Sequence, residues 1–311
     1  MEYSRVRLDR IGRAGRTMFK NNAEVCYFQP DGDYRRQAGE SQSHLKSILQ
    51  SPAHYKASSK RRFRPSAVMT IGTATHCKAL EGDETFEANF VMKPDNVKYT
   101  TKEGREWRDS QGRKTILVND GSDRQWDSVI GMTESLRQMD WFDPSQKDYR
   151  KFNEVSFYWE EQGIKCKARL DRIIVTDDEV HVIDLKTTDS ISIEKFQSKA
   201  VDLGYDFQAG WYSHAAELVY DRPVRFTFVA IERNEPWSIG IFEVPPEMLQ
   251  EARRKNEKAL STLRKCLDTG EWPGVDPRPI LLEYPRWYKP VSDTIDYPAT
   301  QEAKDDFVPL F

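Results

Sequence analysis

Two aspartates and a lysine near the middle of the chain have the types and spacing that chemistry on phosphates requires. Asp184 and Lys186 lie at the end of a β-branched run, EVHVIDLKTT (179–188), and Asp171 lies in the preceding run, IKCKARLDRIIVT (164–176). Because alternate residues of a strand share a face, Asp184 and Lys186 leave one face about 7 Å apart along the strand. Two carboxylates beside an ammonium can hold a divalent cation and stabilise the negative charge of phosphoryl transfer.

The spacing of the two runs supports this arrangement. A short TDDE turn joins them, so Asp171 is expected near Asp184 across an antiparallel ladder. The alternative is a surface salt bridge between Asp184 and Lys186, which is worth little stability and needs no chemistry. The triplet alone does not decide between these two interpretations.

The elements that position the triplet can be predicted from hydrophobic patterning. EVSFYWEE (154–161) and the two runs above predict a three-strand meander, followed by two helices, SIEKFQSKAVDLG and YDFQAGWYSHAAELVY. VRFTFVAIER and WSIGIFEV predict two further strands, and Pro245 and Pro246 begin a long helix. Three upstream stretches predict helices: SQSHLKSILQS, AVMTIGTATHCKALEG ending at Gly82, and DRQWDSVIGMTESLRQM. The pattern predicts an α/β fold, a mixed sheet flanked by helices whose first strands are antiparallel.

The order of short motifs around the triplet resembles the PD-(D/E)xK nuclease superfamily, with its restriction-endonuclease-like core. The upstream GTATH, the NEVSF and the downstream QAGWY are similar to its RecB-type branch; they contribute His76, Glu154, Gln208 and Tyr212. The stretch SHLKSILQSPAHYKA resembles the start of RecE-like (exonuclease VIII-type) phage recombination exonucleases. The resemblance covers residues 41–270, and Leu170 stands where the literal motif has proline.

The resemblance implies a metal site. Asp171 and Asp184 would ligate Mg²⁺ or Mn²⁺, and the backbone carbonyl of Leu185 and the ring of His76 would complete the protein ligands. A histidine after GTAT is, by itself, more often a satisfied core residue.

The resemblance also implies roles for four other side chains. Lys186 would be the catalytic lysine, and Glu154 would bind a second metal or orient a ligand. Gln208 and Tyr212 share a helix face at i and i+4, which would border the active site and touch DNA. The alternatives are a packed helix face for this pair, and for Glu154 a pairing with a neighbouring cation.

The implied activity is that of a metal-dependent 5′→3′ exonuclease on linear double-stranded DNA, leaving 3′ overhangs for recombination by strand annealing. The implied partners are the DNA, an annealing recombinase and further copies of the chain in a ring, in the cytoplasm of a bacterial host or phage-infected cell. The alternatives are a structure-specific or defence endonuclease of the RecB type and an inactive nuclease fold that only binds DNA. The intact set of Asp171, Asp184 and Lys186 argues against the inactive module.

Charge and composition divide the chain into three segments. Residues 1–40 lack periodicity and predict a basic flexible arm, 41–270 the nuclease domain, and 271–311, with 7 of the 16 prolines, an extended tail or wrap. Residues 1–80 hold 15 Lys or Arg against 6 Asp or Glu, although the whole chain carries a net charge of −3. This basic quarter predicts either phosphate contacts or a solvated arm without a partner.

The basic stretch KRRFR interleaves cations with an aromatic ring just before the GTATH helix. Its members Lys60, Arg61, Arg62, Phe63 and Arg64 predict phosphate contacts and stacking on a base, or else a solvated loop. The final DDFVPLF is equally compatible with docking to a partner and with folding back. The four scattered cysteines form no CxxC pair, and no apolar run is long enough to cross a membrane, so we expect a reduced, cytosolic protein.

Overall fold

The structure, a computed structural model, describes residues 23–58, 65–121, 123–139, 151–279, 281–284 and 288, with the backbone of 16–18. The chain divides into two compact units, residues 1–274 and 275–311. In the second unit, Arg278 pairs with Asp276, and the rings of Tyr284 and Tyr288 stack with centroids 4.2 Å apart. All elements below belong to the first unit.

The described ranges contain the following strands and helices. The strands are β1 (Arg16–Met18), β2 (Glu24–Cys26), β3 (Phe90–Met92), β4 (Thr115–Leu117), β5 (Asn119–Asp120), β6 (Asp123–Arg124), β7 (Lys151–Glu161), β8 (Ile164–Val175), β9 (Val180–Thr188), β10 (Val224–Glu232) and β11 (Ile239–Val244). The α-helices are α1 (Asp31–Arg36), α2 (Gln42–Leu45), α3 (Pro52–Ser58), α4 (Ala67–His76), α5 (Asp83–Asn89), α6 (Lys102–Ser110), α7 (Gln125–Arg137), α8 (Ile193–Asp202), α9 (Tyr205–Tyr220) and α10 (Pro246–Thr269). A 3₁₀ turn (Lys46–Leu49) extends α2, and a π-helical turn (Cys77–Glu81) extends α4.

A seven-stranded sheet organises the unit, in the order β1-β2-β7-β8-β9-β10-β11. Its described pairs are antiparallel except β9 with β10, which run parallel because α8 and α9 cross between them. The β7–β8 hairpin closes through Gln162 and Gly163, whose φ angles of 52° and 70° suit a two-residue turn. The predicted α/β fold, a mixed sheet flanked by helices, is confirmed.

The alternation of β9 separates two hydrophobic cores. Val180 and Val182 pack in the core that α9 and α10 cover, whereas Ile183 and Leu185 pack in the core that α4 and α7 cover. Each fully buried side chain of this kind stabilises the fold by about 1.5–3 kcal/mol. The strand that carries Asp184 and Lys186 is therefore fixed on both faces.

The predicted flexible arm over residues 1–40 is wrong for its described part. Strand β2 pairs with β7 in the sheet, with Val25 opposite Phe157, and Ala23, Val25 and Tyr27 are buried. A three-residue strand has too little periodicity to be found in a sequence, and it is stabilised by the long strand beside it. The basic arm prediction remains for the residues outside the described ranges.

Two further features bear on the sequence predictions. The four cysteines are each buried and free. Within the described part of the chain, no helix has both the length and the apolar character needed to cross a bilayer.

Candidate active site

The site lies where strands β8 and β9 separate. The two strands pair from Val175 opposite Val180 to Arg172 opposite Ile183, and β9 then continues against β10. Asp171 and Asp184 occupy the first position beyond this separation. The backbone N–H of Leu185, which has no partner on β8 there, donates to Asp171 Oδ2 at 2.8 Å. The split in the sheet therefore orients one carboxylate through a backbone hydrogen bond.

Helix α4 brings His76 to this split. Its N-cap Ser66 accepts from the backbone N–H of Met69, and at its other end His76 Nδ1 lies 3.5 Å from Asp171 Oδ2. Gly72 permits the close approach of α4, because an added Cβ would lie 3.2 Å from Thr187 Oγ1. Burial, followed by the charge of Lys186, lowers the pKa of His76 to about 4. The imidazole is neutral at pH 7, which is the form that binds a metal.

Glu154 faces Asp171 from the neighbouring strand. It lies between the pairs Asn153–Arg172 and Val155–Leu170, and its φ of 51° is left-handed. Arg169 Nε donates to Glu154 Oε2 at 2.6 Å. Burial, with a contribution from Asp171, raises the pKa of Glu154 to about 8 and outweighs the opposing effect of Arg169.

One imidazole and two carboxylates form a candidate metal centre. The ligand atoms of His76, Glu154 and Asp171 all lie within 4.8 Å of one another. Burial raises the pKa values of both carboxyl groups, which means that their negative charges lack sufficient compensation from the protein. A divalent cation would supply it, and a donor set rich in oxygen suits Mg²⁺ or Mn²⁺.

Asp184 is not one of the three residues of this cluster. It belongs to a second group of interacting side chains beside it. Its carboxylate is 1% exposed; it forms an ion pair with Lys186 through Oδ2 and accepts from Gln208 Nε2 through Oδ1 at 2.9 Å. Lys186 Nζ in turn donates to Gln208 Oε1 at 2.9 Å. Gln208 on α9 thus joins the carboxylate of Asp184 to the ammonium of Lys186.

The charge states of this second group follow from its contacts. Burial by itself would lower the pKa of Lys186, but Asp184 and Asp171 outweigh it and raise that pKa, so the ammonium stays protonated. Burial raises the pKa of Asp184 to about 6, against the influence of Lys186. The ammonium also lies 4.7 Å from the centroid of the Tyr205 ring, whose face favours a cation.

Tyr212 follows Gln208 by one turn of α9 and is 9% exposed. Burial first, then the negative charge of Asp184, holds its pKa well above the ordinary value, so the hydroxyl keeps its proton. The structure thus gathers His76, Glu154, Asp171, Asp184, Leu185, Lys186, Gln208 and Tyr212 around one end of β9. The residues of KRRFR (Lys60, Arg61, Arg62, Phe63 and Arg64) and those of DDFVPLF lie outside the described residues.

Two residues of the site were missed in the sequence. Arg169 binds Glu154, and also donates through Nη1 to the carbonyl of Gln29 at 2.7 Å. Tyr205 provides the ring beside Lys186. Alternation within the strand already placed Arg169 on the same face as Asp171, which was the available signal. Tyr205 is the first residue of α9, and no pattern in the sequence indicated that it belongs to the site.

The fold and the split-sheet site define a member of the PD-(D/E)xK nuclease superfamily. A family model matches residues 41–275, and the chain belongs to that family, described as a PDDEXK-like domain of unknown function (DUF3799). A search of curated proteins finds no match.

Solved structures with a similar fold include a candidate exonuclease from Eubacterium rectale. It is 14% identical, with a TM-score of 0.55, over 86% of this chain and 97% of that one. At that identity the likeness shows the fold. Two others, SSO0001 (18% identity, TM-score 0.28, 64% of this chain and 88% of that one) and VC1899 from Vibrio cholerae (13%, 0.21, 79% and 59%), are too distant in structure to carry an argument.

Proposed function

We propose that this protein is a Mg²⁺- or Mn²⁺-dependent deoxyribonuclease. The observation that carries this proposal is the junction of two groups at one split in the sheet. One group, His76, Glu154 and Asp171, offers metal ligands, and the other offers a protonated lysine held by a carboxylate and an amide. A metal can activate the water that attacks a phosphodiester, and a cationic side chain can stabilise the charge that then develops.

The metal would be held by His76, Glu154 and Asp171, with Asp184 and the carbonyl of Leu185 as the further ligands that the resemblance implies. When bound, it supplies Lewis-acid activation of water and neutralises charge on the phosphate. Arg169 keeps the Glu154 carboxylate in place through its 2.6 Å hydrogen bond, and the N–H of Leu185 does the same for Asp171. Both carboxylates are thus oriented by the protein before a metal binds.

Lys186 would stabilise the negative charge that develops on the phosphate. Its raised pKa keeps it protonated, so it acts as a cation and as a hydrogen-bond donor to a phosphate oxygen or to the attacking water. Gln208 is a positioning residue, because its amide holds both Asp184 and Lys186. Tyr212, with its proton retained, would donate to DNA or to a neighbouring ligand.

We further propose that the substrate is linear double-stranded DNA degraded from its 5′ end, leaving a 3′ single strand for an annealing protein. The support is the resemblance to RecE-like enzymes and the description of the Eubacterium rectale protein as an exonuclease. In the same proposal, copies of the chain form a ring around the duplex in the cytoplasm of a bacterial host or phage-infected cell. A ring would explain how a chain with a net charge of −3 stays on its substrate.

A RecB-type endonuclease is the second candidate, since the same split-sheet site would serve cleavage within a strand. The inactive DNA-binding module is a weaker candidate, because Lys186 and its partners are intact and mutually hydrogen-bonded.

The test uses three DNA substrates with Mg²⁺ or Mn²⁺: a linear duplex labelled at its 5′ ends, the same duplex labelled at its 3′ ends, and a closed circle. We expect early release of the 5′ label, late release of the 3′ label and an intact circle. Cleavage of the circle would contradict the exonuclease in favour of the endonuclease. DNA that stays intact with every metal would favour the inactive DNA-binding module.

The site is tested by Lys186→Ala, which should lower the cleavage rate at least about a hundredfold. The matched control is Lys258→Ala, at an exposed position of α10, which should cleave at the wild-type rate. The melting temperature of both variants is measured alongside, because removing Lys186 leaves Asp184 buried without its counter-charge. A folded Lys186→Ala variant with full activity would refute the assigned site.

A further inference from the structure

Backbone strain in the described part of the chain points to a feature that the fold does not explain. Five non-glycine residues there have positive φ, and three have evident structural reasons. Gln162 forms the β7–β8 turn, Asp221 is the C-cap of α9, and Trp237 packs where a Cβ on Gly131 would lie 2.3 Å from its ring. The other two are Phe28, with φ of 58°, and Glu154.

One side chain links these two strained positions. Arg169 Nε donates to Glu154 Oε2 at 2.6 Å, and Arg169 Nη1 donates to the carbonyl of Gln29 at 2.7 Å. The residue that follows Phe28 is therefore held by the same guanidinium that holds a candidate metal ligand. Phe28 is thus connected to the proposed active site through the adjacent Gln29 carbonyl and the guanidinium of Arg169.

The neighbours of Phe28 are fixed on both sides. Tyr27 is 3% exposed and its hydroxyl bonds that of Tyr220 at 2.7 Å. Gln29 is 8% exposed and its side-chain oxygen accepts from Tyr158 at 2.6 Å. Between these two anchors the Phe28 side chain is 64% exposed. A left-handed backbone at a phenylalanine destabilises the fold, and a ring that is mostly in solvent gains little burial in return, so its reason lies outside the fold.

We propose that Phe28 stacks on a terminal base of the duplex whose strand enters the metal site. This inference rests on the proposed DNA substrate. A flat apolar ring matches the face of any base, and stacking of this kind needs no sequence. Inside a duplex both faces of each base are covered by its neighbours, whereas the terminal pair has one face open to an aromatic side chain. The strained backbone holds the ring outward, ready for that face.

A double-mutant cycle across the interface tests the contact. The affinity of wild type and of Phe28→Asn is measured in EDTA, so that no cleavage occurs, for two short duplexes: one blunt, and one with abasic terminal nucleotides. We expect wild type to bind the blunt duplex about tenfold more tightly than the abasic one, and Phe28→Asn to bind both alike. Phe28→Tyr keeps the ring and should retain the preference.

A stability measurement separates stacking from a structural role. Asparagine tolerates a left-handed backbone, so Phe28→Asn should raise the melting temperature by about 1–4 °C. The matched control is Gln162→Asn, which changes another residue with positive φ at the β7–β8 turn. It should also raise the melting temperature, but it should leave the preference for the blunt duplex unchanged.

The outcomes separate this inference from the proposed function. If wild type cleaves DNA but Phe28→Asn keeps the tenfold preference, the stacking contact is refuted and the nuclease stands. A lower melting temperature for Phe28→Asn would also refute it, because Phe28 would then support the fold. If wild type shows the preference and Phe28→Asn loses it, yet no metal gives cleavage, the stacking contact stands and the nuclease is refuted. If wild type neither binds nor cleaves DNA, both proposals are refuted.

Discussion

The carboxyl groups of Glu154 and Asp171 are held together by the sheet although burial disfavours both of their charges. Each has a raised pKa with burial as the main cause, and Asp171 adds to the effect on Glu154. An arrangement that destabilises its own charges without a cation is expected where a cation binds. The neutral ring of His76 completes it without adding charge.

Metal binding should therefore stabilise the fold. A saturating concentration of Mn²⁺, about a hundred times the dissociation constant, adds about 2.7 kcal/mol to the free energy of unfolding. We expect this to raise the melting temperature by several degrees in calorimetry, and a chelator to reverse it. Asp171→Asn should lose most of the increase. Asp83→Asn, at an exposed carboxylate paired with Lys78, should keep it; an equal increase in both variants would contradict the assigned ligand.

The position of Gln208 depends on how closely helices α9 and α10 pack. Gly210 lies two residues beyond it, and an added Cβ would lie 2.7 Å from the Cβ of Ala252 and 2.9 Å from its carbonyl carbon. The helices can approach so closely only because Gly210 has no side chain. The tight crossing therefore fixes the depth at which α9 presents Gln208 to Asp184.

Gly210→Ala should shift α9 away from α10. We expect a loss of about 1–3 kcal/mol in unfolding free energy and lower cleavage activity, since Gln208 moves with the helix. Urea denaturation and the duplex assay measure the two effects. Combining it with Ala252→Gly removes the closest contact and should restore part of both. Activity that is unchanged in a destabilised Gly210→Ala variant would show that the helix position does not control the site.

Strand β9 also carries a buried titratable group away from the metal cluster. His181 is 3% exposed and its Nε2 lies 2.8 Å from Thr227 Oγ1. Burial, then the charge of Arg225, lowers its pKa to about 4 from the ordinary 6.5. Between these two values the unfolded chain binds a proton at this residue and the folded chain does not.

The free energy of unfolding should consequently decrease as the pH is lowered, because the unfolded chain gains a proton at His181 before the folded chain does. The contribution is complete above pH 6.5 and declines as the pH drops toward 4, by up to about 3 kcal/mol. The measurement is urea denaturation of wild type and His181→Asn at several pH values. The free-energy difference between the two should shift in favour of the variant as the pH falls. Parallel pH profiles would show that His181 titrates normally in the fold.

For the whole molecule, the uneven distribution of charge is the main electrostatic feature. The first 80 residues are basic and the remainder is acidic, so binding to DNA requires a localised basic surface. The KRRFR stretch comes between α3 and α4, the helix that carries His76. Its place in the chain makes it the first candidate for that surface.

Replacing Lys60, Arg61, Arg62 and Arg64 with glutamine should weaken DNA binding and its salt dependence together. The slope of log K against log salt is about −0.9 per phosphate contact, so losing these contacts should make the slope less negative by about 2–4. Fluorescence anisotropy at several salt concentrations measures this. A control with glutamine at four cations of α10 should keep the wild-type slope; Arg254, Lys258 and Lys265 are exposed and Arg264 is half-buried. The same slope in both variants would show that KRRFR makes no contact with DNA phosphates.

The sequence by itself determined the long elements of the fold and most of the candidate site. Strands β7 to β11 and helices α7 to α10 have strong periodicity because each buries one face against the sheet or its cover. The order of the short motifs along the chain then indicated the superfamily, since residues of these types at this spacing imply a bound metal and a phosphate substrate. These residues are His76, Glu154, Asp171, Asp184, Lys186, Gln208 and Tyr212. Local patterning is sufficient for these two predictions.

Only the tertiary structure decided how these residues divide between two groups. Glu154 joins His76 and Asp171, while Asp184 pairs with Lys186 and Gln208. Strand β2 joins the sheet where an arm was expected, and Arg169 ties Gln29, just beyond β2, to Glu154. These contacts join residues far apart in the chain, and they depend on where β8 and β9 separate and how close α4 and α9 approach. Such distances arise from packing across the whole unit, which no local pattern encodes.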